Sequence, residues 1–161
     1  MKNVFIALSL SCLTASAAAS SSDLLDNYGK LAQLTTQQIN TASYKEVGAA
    51  SSKLVDIAKQ FLPAFSLKNP VCKEYVDAVM KAADTMQKIS LEEIEADYHH
   101  DGKLPKVADG SCYHAKDLLV HPATVVVMAS KLKDTKANRE SMAAELYEVI
   151  AHLGAVKQAV K

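Results

Sequence analysis

Ser111 to Lys131 reads SCYHAKDLLVHPATVVVMASK, and the class of the fold turns on it. The β-branched run Val125-Val126-Val127-Met128 would suit a buried strand, and Pro122 stands where a helix interior needs an amide. A lone strand, however, leaves a row of backbone donors and acceptors unpaired. The chain offers it no Asn-Gly hairpin and no second strand candidate, so the segment is assigned to a helix that Pro122 kinks or restarts after His121. Ser111 is its expected cap.

Working outward, helical periodicity continues on both sides. Downstream of Asp134-Thr135, Met142, Leu146, Val149, Leu153, Val156 and Val160 recur every three or four residues. Upstream, Leu24, Tyr28, Leu31, Thr35, Ile39 and Ala42 draw one stripe, and Val47, Ala50, Leu54, Ile57, Phe61 and Phe65 draw the next, with Pro63 marking the expected end of regular structure. Ser43 with Glu46, and Ser90 with Glu93, have capping-box spacing, in which hydroxyl and carboxylate each satisfy a backbone N–H at a helix start. Asn69-Pro70 opens a third helix with Cys72, Val76, Val79, Ala83 and Met86 inward. A short helix from Leu91 to about His99 ends at Asp101-Gly102, and a polar loop reaches Gly110. Long helices with short connections and no strand partners predict an all-α, up-and-down four-helix bundle with one extra short helix and a polar loop.

Residues 1–19 have the order of a secretory signal: Lys2, a short apolar run from Val4, then small residues through Ala19. The apolar run is too short to span a bilayer. Cys12 lacks the leucine three places earlier that a lipoprotein site wants, which favours plain export to a periplasm or the exterior. The expected mature chain is one helical domain over 20–161, with 17 basic and 18 acidic residues. That near-neutral balance, with only Lys103 and Lys106 near one another in the polar loop, argues against nucleic acid as a partner. No later segment is apolar enough to be a transmembrane span.

Export also decides how Cys72 and Cys112 are read. In an oxidising compartment a disulfide is the default for the two cysteines that remain after cleavage. The competing arrangement, Cys112 as a thiolate with His114 as base, puts the two side chains on different helix faces.

Four of the five histidines fall between Ser90 and His121. On a regular helix Glu93, Asp97 and His100 share a face at i, i+4 and i+7, and Glu95 with His99 forms a second i, i+4 pair. On the next helix His114, Asp117 and His121 fall at i, i+3 and i+7. Two such lines side by side would offer His100, His114, His121, Glu93, Asp97 and Asp117 to one ion. Zinc or copper suits an imidazole-rich set, and iron or manganese a carboxylate-rich one. A structural account competes: Glu93 caps its helix, the acids are solvated near a helix N-terminus, and His121 precedes Pro122 for local reasons. Covalent haem is excluded by the absence of CxxCH, and methionines at helical spacing are core filler before they are axial partners of His152, which disfavours haem altogether. No nucleophile elbow, phosphate loop or HExxH motif occurs, so no enzyme is expected. Two functions remain: an exported, non-catalytic bundle binding a divalent metal or small ligand around 91–121, and a protein-interaction or structural envelope bundle without a ligand.

Overall fold

The computed structural model describes residues 20–161, and the expected export segment lies outside the described residues. Among the described residues every regular element is helical: α1 (Ser21–Gln37), α2 (Tyr44–Lys68), α3 (Lys73–Met86, led in by a 3₁₀ turn at Pro70–Cys72), α4 (Leu91–Ile94, running into a π turn at Glu95–His99), α5 (Gly110–Lys131) and α6 (Lys136–Ala159). Val125 to Met128 lie inside α5 and are helical, as the missing strand partner required. Among the described residues no helix is long and apolar enough to cross a membrane.

Helices α1, α2, α5 and α6 close a ring in which each packs on the next, which is the up-and-down bundle expected. Ties at both ends fix the directions. Lys157 pairs with Asp26 at 2.6 Å, and Asn69 Nδ2 donates to Ala159 O at 3.3 Å, so the start of α1 meets the ends of α2 and α6. At the other end Tyr44 Oη donates to Lys133 O at 3.0 Å, and Arg139 donates to the carbonyls of Ile39 and Ala42. Outside the ring α3 packs on α5 and α2, while α4 with its π turn lies along α5. Contacted from all these sides, α5 buries 14 of its 22 residues and is the axis of the domain.

The caps behave as their spacing predicts. Ser43 and Glu46, and Ser90 and Glu93, form reciprocal capping boxes, and Ser20 with Asp23 forms a third. At α5 the cap is Asp109, which accepts from the Ser111 amide at 2.8 Å, and Ser111 is the donor rather than the cap. The α2, α3 and α6 stripes are buried as expected, apart from half-buried Ala50 and Val160; in α1 the inward positions are Leu25, Tyr28, Ala32 and Thr35, one residue off the predicted Leu24 and Leu31. Ile39 and Ala42 lie in the turn after the helix.

Neither internal proline ends its helix. Pro63 was expected to stop α2, yet the helix runs on to Lys68, because burying Phe65 beyond it outweighs one lost ladder bond. Pro122 leaves the Leu118 carbonyl without its i+4 donor. The fully buried Tyr28 hydroxyl donates to that oxygen at 2.8 Å, tying α1 to α5 and satisfying both groups.

Cys72 and Cys112 form the expected disulfide, with 5.0 Å between Cα atoms. It pins the start of α3 to the start of α5 and encloses the segment that carries α4, the π turn and the polar loop.

Candidate metal centre

The site is built where α5 faces α6, with the π turn closing a third side. On α5, His114, Asp117 and His121 sit at i, i+3 and i+7 and bring imidazole, carboxylate and imidazole to one helix face. Glu145, Glu148 and His152 repeat that spacing on α6. Because the helices are antiparallel, the two lines meet in reverse order: His114 Nδ1 lies 2.7 Å from His152 Nδ1, and His121 Nδ1 lies 2.7 Å from Glu145 Oε2. The His121 and His152 rings stack with centroids 5.2 Å apart.

The third side depends on how the short helix ends. His100 N bonds back to Glu95 O at 2.9 Å, an i to i+5 step, so the chain leaves α4 in a π turn rather than a regular helix. Asp101 then takes a left-handed backbone (φ 59°), held there by Tyr75 Oη at 2.6 Å from its carboxylate. Gly102 N reaches Ala96 O at 3.1 Å, and a Cβ at Gly102 would stand 2.5 Å from that oxygen, so only glycine fits. The result turns His99 inward. Its ring lies 4.9 Å from the His121 ring, centroid to centroid, and its Nε2 3.3 Å from Thr124 Oγ1.

Lys116 fastens this turn to α5. Fully buried, it donates to His99 O at 3.0 Å and lies 3.3 Å from carboxylate oxygens of both Asp101 and Asp117, with the Tyr113 ring centroid 4.5 Å away. Asp117 is also fully buried, and neither of its oxygens accepts a well-formed hydrogen bond. Lys116 Nζ supplies positive charge at 3.3 Å, and His152 Nε2 lies at 3.4 Å, neither with donor alignment. The Lys116 ammonium offsets the charge of this buried carboxylate, while both its oxygens keep lone pairs that no donor occupies and that a metal ion could use.

Two sets of three ligand atoms each lie within 4.8 Å of one another: Asp117, His121 and His152, all buried, and His99, His121 and Glu145, of which only His121 is buried. Atoms bound tetrahedrally to one ion at about 2.1 Å stand about 3.4 Å apart, so closing either set means drawing ligand atoms together by up to about 1.4 Å. Protonation favours ligation. A carboxylate only accepts, so His121 Nδ1 carries the proton shared with Glu145, and Nε2 is left free to bind. His152 Nδ1 shares a hydrogen bond with His114 Nδ1, and with His152 as its donor the Nε2 turned toward Asp117 is free to bind. Burial, reinforced by the neighbouring His121, lowers the pKa of both His99 and His152 and favours the neutral rings a metal requires. Tyr113, at the edge of the cluster, has its phenol pushed up by burial and then by the Asp117 charge.

Of the six ligands the sequence suggests, the structure brings His114, Asp117 and His121 together and leaves three outside. Glu93 caps Ser90, Asp97 pairs with Lys103 at 2.5 Å, and His100 pairs with Glu95 at 3.0 Å on the surface. The π turn is the cause, since it breaks the i, i+4, i+7 register and presents His99 in place of His100. Sequence reasoning missed Glu145 and His152 as partners. The signal that could have found them is the i, i+3, i+7 spacing shared by α5 and α6. Comparison with known proteins finds no matching family model, no similar curated protein and no similar solved structure.

Proposed function

We propose that this chain is an exported, non-catalytic helical bundle that binds one divalent metal ion between α5 and α6, with Asp117, His121 and His152 as ligands. Asp117 carries the reading: a fully buried carboxylate without a hydrogen-bond donor, beside two imidazoles whose free nitrogens lie within ligand range. Two imidazoles and one carboxylate suit zinc or copper(II), with iron next; the set contains no thiolate or thioether to favour copper(I). Glu145 and His114 hold the ligating rings through their second nitrogens. The three ligands leave a fourth position for water. Export rests on the order of residues 1–19, and the disulfide between Cys72 and Cys112 agrees with an oxidising destination.

The test is metal analysis of the full chain recovered from the compartment it is exported to, with a melting series in zinc, copper(II), iron(II) and manganese. A ligand at 100 times its Kd adds about 2.7 kcal/mol, a rise of roughly 5–10 °C for a domain of this size. Asp117→Asn should abolish that rise while keeping the helical spectrum.

A second reading has its own support. His114 with His152, His121 with Glu145 and His99 with Thr124 give each ring an internal partner, as a purely structural polar network would. It is the interaction or envelope bundle without a ligand. Absence of bound metal and of any melting shift would select it.

A further inference from the structure

We propose that the cluster holds its ion in two successive positions: His99, His121 and Glu145 capture it from solvent, and Asp117, His121 and His152 retain it. This rests on the metal-binding reading above and adds to it a route and an order of events.

The two sets differ in exposure in the sense a route requires. Asp117 is fully buried and His121 and His152 are 7% and 8% exposed, whereas the Glu145 side chain is 25% exposed and His99 is half-buried. Approach past Lys116 is less favourable to a cation, because its buried ammonium lies 3.3 Å from Asp117 and against the Tyr113 ring. The outer mouth instead presents the Glu145 carboxylate.

His121 belongs to both sets and links them. With Nδ1–H donated to Glu145, only Nε2 can bind, which serves the inner position. In the outer position His99 and Glu145 would hold the ion beside His121, and in the inner position Asp117 and His152 take their place while His121 remains common to both. Because of this sharing, the two positions compete for one ligand and the cluster is expected to take one ion at a time.

Cobalt(II) alone, whose visible absorption follows its ligand set, is mixed rapidly with the purified full chain. Wild type should show a first phase that accelerates with cobalt concentration, a second that does not, and one ion per chain at the end. Glu145→Gln should slow the first phase about tenfold or more. Asp117→Asn should keep the first phase, lose the second and weaken equilibrium binding about 10- to 100-fold. Should Asp117→Asn lose its helical spectrum, His152→Gln takes its place, with the same two expectations. Glu148→Gln, which alters an exposed carboxylate 3.7 Å from His152 Nε2 and outside the capture set, should leave the first phase as it is. Two ions per chain, a single phase in wild type, or capture slowed by Glu148→Gln and not by Glu145→Gln overturns the relay while leaving the metal site standing. No uptake of cobalt or zinc overturns both.

Discussion

The α1–α2 seam and the α5–α6 seam bury similar helices with different materials. Between α1 and α2, Tyr28 and Phe61 meet edge to face with ring centroids 5.6 Å apart, and the nearby Thr35 and Thr36 hydroxyls bond to carbonyls of their own helix. Between α5 and α6, Asp117, His121 and His152 are buried with Lys116 beside them. An apolar seam gains stability in proportion to the area it hides. A buried charged seam gains little against well-packed apolar residues of the same volume, because desolvation offsets the attraction. Stability therefore explains the first seam, and the second needs another reason, which the proposed metal site would supply.

The largest expected effect lies on the dry side. Phe61→Ala should cost roughly 3–5 kcal/mol through lost transfer energy and a cavity, and the loss measured by denaturant melts should be equal with zinc and with chelator. A zinc-dependent loss would mean that the two seams are not separable. Next, replacing Cys72 and Cys112 by serine releases a loop of 40 residues, which the chain-entropy model values at about 4 kcal/mol. Since that loop carries His99, the variant should also weaken metal uptake, as read by zinc titration.

Lys116→Met sharpens the contrast more directly. Removing the ammonium strands Asp117 and should cost about 3 kcal/mol in metal-free protein. Zinc, by replacing the missing cation, should recover most of that loss; a cost unchanged by zinc would show that Asp117 serves Lys116 alone. Ser90→Ala is the smallest change, about 1 kcal/mol for one lost cap, measured by thermal melting. The stripped cap also frees α4, so the residual metal affinity of this variant reports how firmly the π turn must be held.

The sequence was most legible where one physical preference acts alone. Apolar stripes at helical spacing identified the buried faces of α2, α3 and α6, and the paired Ser and Glu positions identified two helix starts. It was least legible where tertiary contacts override a local rule. Pro63 reads as a stop, but the stop fails because Phe65 is needed in the core. Glu93, Asp97 and His100 share a face only on an ideal helix, and the backbone leaves that geometry at Glu95. His114, Asp117 and His121 lie on regular helix and do come together, so half of the site was visible. The α6 half was hidden because Glu145 and His152 acquire meaning only once two antiparallel helices are in register.

Pro122 carries a consequence for how this chain can change over time. By withholding one N–H it leaves a vacant acceptor in the middle of α5, and a hydroxyl 90 positions away from that acceptor has come to depend on the vacancy. Positions 28 and 122 should therefore drift together. Phenylalanine at 28 becomes tolerable only after the amide at 122 is restored, and an α5 without its proline would leave the Tyr28 hydroxyl buried with nothing to hold.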